Sequence, residues 1–383
     1  MKPVYPLLIF TLLLTACSSG RKALDQGNFR DAILKAVNRL SQSPDNHKAQ
    51  QVVADGYPMA MAYYQEEIDN NLSGNAPFKW NQTLAVMNEV NTISETIRRI
   101  PAARRLIPNP KVYTSELATA TERAAEEQYL AGTALLSRQN RNDAKQAFLN
   151  FRECDRLVAG YKDVLQKMAE AKNLATLRVI VEPLPAPSRN YALTADFFYT
   201  QVMQRMNELY PAQSFVNFFT PDEAAQTRLK YPDMVVKLEF MDFYIERPRH
   251  YEQENNLQRD FEELVQVKVS RDSVRTEKRM VPVRGKLKIF TDEVASGGLM
   301  NVQINDFQAA KLLLNENVPG EFLWRNQYGI FIGDERVLTK EEVLILKNTA
   351  IPPPGPQDMF IEFTRPIYAR LTDRMNAFFQ RYN

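Results

Sequence analysis

The sequence predicts an α+β chain of more than one domain, an α-helical repeat-like part followed by a mixed α/β sandwich. The chain has 383 residues, 44% hydrophobic and 25% charged, which fills two or three cores at about 100–200 residues per domain. From Arg21 to about Asn173 apolar residues recur at helical spacing. At Leu177 the period changes to the alternation of strands. The expected organisation is an export signal at 1–16, an α-helical domain at 17–175, and a mixed α/β domain with a C-terminal helix at 176–383.

At the N-terminus Lys2 gives a short positive start, and Val4 to Leu14 is an apolar run broken by Pro6 and Thr11. That run is shorter than the roughly 20 residues needed to span a bilayer as a helix, and it reads as a signal segment. Leu14-Thr15-Ala16-Cys17 follows, then Ser18-Ser19-Gly20. These four residues resemble the lipobox of bacterial outer-membrane lipoproteins, in which small residues expose the bond before an obligatory cysteine. The resemblance implies cleavage before Cys17 and acylation of its thiol and of the freed amine. Two or three chains at about 0.8 kcal/mol per buried CH₂ anchor a protein stably. The competing reading is an ordinary secretory signal with a chance cysteine. Neither Ser18 nor Ser19 is the aspartate that retains many lipoproteins in the inner membrane, and no acidic run follows. The resemblance therefore implies the inner leaflet of an outer membrane, facing the periplasm.

Loss of residues 1–16 removes Lys2 alone among charged residues and takes the net charge from +2 to +1. With Cys17 acylated, Cys154 has no mate for an intramolecular disulfide. It sits in the helical apolar pattern Ala147–Cys154 and reads as a buried small hydrophobe rather than a reactive thiol.

In the helical half, Gly27-Asn28-Phe29-Arg30-Asp31-Ala32-Ile33, then Leu40, Pro44, Asn46 and Ala49, resembles the second helix and exit turn of a tetratricopeptide repeat. In that family a glycine lets two helices pack closely. Ala125, Tyr129, Gly132, Leu135-Leu136, Asn142-Asp143-Ala144 and Phe148 have the same flavour. Ala32 and Ala144 lie 112 residues apart, not a multiple of the 34-residue repeat, so a regular array is not expected. Gln65–Leu72 and Asn81–Arg99 have helical spacing, with Leu84, Met87, Val90, Ile93 and Ile97 on one core face. Arg98-Arg99, Arg104-Arg105 and Lys111 surround a proline-bearing stretch at 100–110, read as a solvated connection, with head-group contact as the alternative. Short helical hairpins need neighbours to bury both faces, which leaves one surface for a partner.

In the second half, a β-rich run at Leu177–Val181 closes in Pro183-Leu184-Pro185, and a helix follows from Ala192 to Leu209. Phe215–Phe219 is a strand, and Thr220-Pro221-Asp222-Glu223 starts a helix with Thr220 as N-cap. Met234–Ile245 is a long strand, while 264–269 and 281–290 alternate again, so the sheet is expected to become antiparallel. Gly333-Asp334 is read as a turn after a strand, with Thr339 capping the next helix. Residues 350–357 hold four prolines and read as an extended connection before a last helix at 366–382, expected to dock on the sheet. Val179–Pro183, Pro232–Leu238 and the helix between resemble, as a fold, the periplasmic domains of the curli-secretion lipoprotein CsgG and of penicillin-binding-protein activators. No membrane-spanning hairpin of about 10-residue alternating segments stands out, which argues against a pore.

Thirteen glycines, two histidines and two cysteines disfavour glycine-rich nucleotide cradles, histidine-rich metal centres and disulfide frameworks. No cofactor or metal is expected. Basic and acidic residues number 48 and 46, so no global field draws in nucleic acid. His47 falls in a repeat-like turn, and His250 is placed in an exposed loop after a strand. No catalytic motif is present, and neighbours such as Glu66-Glu67 or Glu262-Glu263 point apart. Asp272-Ser273-Val274 resembles a bacterial O-glycosylation acceptor, with Ser273 as the modified residue, against a plain β-turn.

The function expected is a non-enzymatic scaffold or accessory subunit of an envelope assembly, held to the membrane by its lipid and binding protein partners. The alternative is an anchored hydrolase or ligand-binding lipoprotein whose second half gathers several of Asp233, Asp242, Glu246, Asp334 and Glu335 in a deep pocket.

Overall fold

The computed structural model describes residues 20–186, 188–270 and 273–383. The fold is α+β, with helices in the N-terminal part and a mixed sheet in the C-terminal part. Two compact units meet in sequence between Ala175 and Thr176.

The first unit is built from α1 (Arg21–Asp25), α2 (Phe29–Gln42), α3 (His47–Ser73), α4 (Lys79–Arg99), α5 (Pro101–Leu106), α6 (Ser115–Leu136), α7 (Arg141–Leu157) and α8 (Val164–Ala175). Asparagines start three of these helices: Asn28, Asn46 and Asn140 each accept a backbone N–H three residues on, at 3.2, 3.0 and 3.0 Å. Helical periodicity puts Ile33, Val37 and Leu40 of α2 against Val52 and Val53 of α3 and Val90, Ile93 and Ile97 of α4 in one core. Leu84 packs at its margin.

Two sequence readings change here. Gly27 does not mediate close helix packing; it takes φ +75° at the turn into α2, with nothing within 4 Å of an added Cβ. Close approach occurs instead at Gly132, where a Cβ would lie 2.7 Å from the Phe151 ring. The stretch at 100–110 is also more than a solvated connection. Pro101 opens α5 at its first turn, and Ala102 and Ala103 are buried. The chain beyond it is clasped to α4, because Asn91 accepts from Tyr113 N–H and donates to Tyr113 O, both at 2.7 Å.

The second unit comprises β1 (Leu177–Val181), α9 (Ala192–Leu209), β2 (Val216–Phe219), α10 (Pro221–Gln226), β3 (Met234–Ile245), β4 (Arg249–Ser270), β5 (Ser273–Asp306), β6 (Lys311–Gly333), α11 (Lys340–Lys347) and α12 (Pro356–Phe379). β1 pairs in parallel with β2 and β3, and β3, β4 and β6 pair antiparallel with β5. Strands β3 and β4 lie end to end along one side of β5, Ile245 opposite Ser296 and Arg249 opposite Glu293. β6 runs along the other side, from Asp306 to Gly285.

One sheet face is covered by α9 and α12. Leu177, Val179, Val181, Val236, Met300, Val302 and Ile304 meet Val202, Met206, Phe360, Phe363 and Ile367 there. Gly298 and Gly320 stand opposite each other in the β5–β6 ladder and open a slot for α12. A Cβ on Gly298 would come within 2.6 Å of the Phe363 ring, and one on Gly320 within 2.3 Å of Phe363 O. The last helix starts at Pro356, ten residues before the position read from the sequence, and runs through Pro366. Proline removes one helical hydrogen bond at that point. Phe360, Phe363, Ile367 and Leu371, all buried, carry the helix across it. Thr220 and Thr339 cap α10 and α11, and each threonine N–H donates in return to the carboxylate of the glutamate three residues on.

Candidate functional site

Cys17 lies outside the described residues, as does Asp272. Ser273 opens β5 opposite Ser270, at the outer end of the β4–β5 hairpin. Cys154 is fully buried on α7, and burial pushes its thiol up to about 11. His47 is the first residue of α3. His250 is not in a loop but belongs to β4, because the strand extends much further toward the N-terminus than its apolar alternation does.

The five carboxylates of the second half do not share a pocket. Asp233 Oδ2 accepts the Arg178 N–H at 2.7 Å and ties the start of β3 to β1. Asp242 borders a cavity of about 250 Å³ with Phe243, Tyr244, Pro319 and Glu321. Glu246 pairs with Arg249 at 2.8 Å. Asp334 and Glu335 belong to a turn at the other end of the long strands, where Asp334 N–H donates to Arg284 O. Asp242 stands opposite Leu299 on the same β5. Residues 284 and 299 are separated by about 50 Å at roughly 3.3 Å per residue, so the two ends cannot act on one substrate atom.

What the strands do build is a ribbon. Beyond Gly285, where β6 ends, β5 continues outward as Ser273–Arg284 with β4 as its neighbour. Twelve residues at about 3.4 Å each reach roughly 40 Å. Among the described residues, both outer edges of this hairpin lack a strand partner. On one face Arg259, Phe261, Glu263 and Val265 lie opposite Val283, Val281, Arg279 and Glu277. On the other Gln258, Asp260, Glu262 and Leu264 lie opposite Arg284, Pro282, Met280 and Lys278. Each face mixes charge with apolar groups, so neither carries the continuous apolar band of a lipid-facing barrel strand.

The ribbon is fastened at its base. Arg336 donates from Nε to Asp334 Oδ1 at 2.9 Å, pairs with Glu263 of β4 through Nη1, and lies over the Phe261 ring. The Arg336 guanidinium holds the Asp334 carboxyl down to about 2. On the opposite face Lys286 pairs with Glu254 at 2.6 Å and Lys288 with Glu252 at 2.7 Å, both diagonal to the register. His250 Nδ1 meets Asp292 Oδ1 at 2.6 Å, and this bond raises the imidazole above its ordinary value. The rings of His250, Phe290 and Tyr328 stack across three strands, with centroids 5.8 and 5.1 Å apart. Ile330 and Ile332 of β6 extend this face and are exposed. The arrangement is cross-tied at the root by ion pairs and stacked rings and presents open backbone N–H and C=O groups further out, the property that lets an edge strand accept another strand.

Among the described residues, no helix is long and apolar enough to cross a membrane. Also among them, no three His, Cys, Asp or Glu side chains form a group that could hold a metal ion.

The chain matches no protein-family model and no curated protein. Among solved structures it is similar to the crystal structure of a neuraminyllactose-binding hemagglutinin homolog from Helicobacter pylori, at 6% identity and a TM-score of 0.26. The match covers 54% of this chain and 90% of that one. A score this low leaves the reading of this chain to its own residues.

Proposed function

We propose that this chain is a lipid-anchored envelope lipoprotein, held by Cys17 on the periplasmic side of an outer membrane, and that it acts as a non-enzymatic scaffold or accessory subunit. The observation that carries the scaffold role is the β4–β5 ribbon with both edges open. A two-stranded hairpin is marginal by itself in water, and a third strand or another surface stabilises it. A protein partner that adds a strand along β4 supplies that stabilisation and gains main-chain hydrogen bonds in return. The tetratricopeptide-like helices supply a second protein-binding surface in the same reading.

The alternative of a carboxylate-based hydrolase drew its support from a pocket gathering the five acidic residues, and that support is gone with their separation along β5. The lipid anchor follows from Leu14-Thr15-Ala16-Cys17. Labelling with radioactive palmitate tests it: the label is expected on the wild-type chain and absent from Cys17→Ala, and an unlabelled wild-type chain contradicts it. For the scaffold role, affinity capture of the detergent-solubilised chain is compared with a variant in which 259–283 is replaced by Asn-Gly. An envelope protein recovered with the first and lost with the second is the expected result, and identical recoveries refute the role given to the ribbon. Ser273 is proposed as a glycan acceptor at the ribbon's outer end. An intact mass equal to polypeptide plus lipid removes that assignment.

A further inference from the structure

A cavity of about 540 Å³ lies between α2, α3 and α4 of the helical unit, within the size range of small-ligand sites. Its walls include the rings of Phe29, Tyr63 and Tyr64 and the charged groups of Arg30, Glu67 and Glu89. Helix geometry explains the grouping on α3. Glu67 is three residues beyond Tyr64 and four beyond Tyr63, so all three project to one side. Tyr64 is buried, while Tyr63 is half exposed and its ring lies 5.4 Å from that of Phe29.

The charges in this cavity do not cancel. Glu89 accepts from the Tyr64 hydroxyl at 2.8 Å and has Arg30 loosely beside it at 3.9 Å. Glu67 has neither a hydrogen bond nor an ion pair among the described residues, although its carboxylate lies close enough to act on Tyr64. Burial, the bond to Glu89 and the charges of Glu89 and Glu67 hold the Tyr64 phenol above its usual value, so it stays a donor. Two carboxylates against one guanidinium leave a negative cavity with aromatic walls. An anion is repelled from such a site, and an apolar ligand would strip water from Glu67 without replacing it. A cation carrying its own apolar stem satisfies both the carboxylate and the ring faces.

We propose that this cavity binds an organic cation, an alkyl ammonium or guanidinium, with Glu67 as its counter-ion and Tyr63 and Phe29 as its aromatic wall. That chemistry is offered by a lysine or arginine side chain of a partner and equally by a free amine. The two sources separate by titrating the full-length chain in detergent with agmatine and with the peptide acetyl-Ala-Ala-Arg-Ala-Ala-amide, followed by calorimetry. Saturable binding is expected, weakened at least tenfold in Glu67→Gln and in Tyr63→Ala and unchanged in the neighbouring Glu66→Gln. Peptide affinity tenfold or more above that of agmatine identifies a partner side chain as the source, and equal or weaker peptide affinity identifies a free cation. The proposal is overturned if neither probe saturates, or if Glu67→Gln binds as tightly as the wild-type chain. Unchanged thermal unfolding of the Glu67→Gln chain separates lost binding from lost folding.

Discussion

Strand β5 passes through two environments. Its C-terminal part, Ser296–Asp306, lies between β3 and β6 and beneath α12, with Met300, Val302 and Ile304 buried. Its N-terminal part, Ser273–Arg284, has β4 as its neighbour and charge on both faces. The first is held by packing and tolerates no added atom at Gly298 or Gly320. The second is held by register, through ladder bonds and diagonal ion pairs such as Lys278–Glu262 at 2.7 Å. The same strand thus runs from a packed core into a two-stranded ribbon with open edges.

The largest effect that tests this division is at the base. Phe363→Ala empties the slot between Gly298 and Gly320 and is expected to cost about 3–5 kcal/mol in urea unfolding. Amide exchange in the outer ribbon should change far less than in the buried part of β5, and an equal change in both would join the two regions into one cooperative piece. Next in size is Thr339→Ala, which removes the reciprocal cap of α11. A loss of about 1 kcal/mol is expected, with fraying confined to α11 by hydrogen exchange.

Acid acts on the clamp at the ribbon's root. Because the Asp334 carboxyl is held at about 2 against an ordinary 3.8, its contribution is complete above about pH 4 and is lost as pH falls through about 2. Protection factors of the β4 amides around Glu263, corrected for the intrinsic pH dependence of exchange, should fall over that interval in the wild-type chain and be low throughout in Arg336→Ala. His250 runs the other way. Its raised value makes its contribution complete below about 6.5 and progressively lost as pH rises through the folded value. An imidazole titration by NMR should move down toward 6.5 in Asp292→Asn. The smallest expected effect is on removal of 259–283, which should leave the urea midpoint of the remaining unit where it was; a lowered midpoint makes the ribbon part of the core.

The base was far more legible in the sequence than the ribbon. Val179, Val181, Val236 and Leu238 fall two residues apart on the one buried sheet face, within runs of strong strand formers, and Thr220 and Thr339 announce their helices by cap chemistry. Residues 249–263 hold Glu, Asn, Gln, Arg and Asp in place of good strand formers, and with both faces wet no alternation marks them. Only 264–269 carried the pattern. Only the end of β6 before Gly333 was legible; its length was hidden by Pro319 and Gly320, tolerated because β6 is an edge strand with α12 seated at Gly320. The early start of α12 was hidden by Pro366, whose lost hydrogen bond is outweighed by buried rings on both sides. The helical cavity had no linear signal, since Phe29, Glu67 and Glu89 come from three helices.

The scaffold role proposed for this chain needs the open edge of β4 to meet a partner. A photo-crosslinking residue placed at Gln258 or Gln266 in living cells, with Gln204 on α9 as the control, reads that edge directly. A discrete adduct with an envelope protein from the β4 positions and none from Gln204 is the predicted result. Adducts absent from both β4 positions, or equally strong from all three, would contradict it.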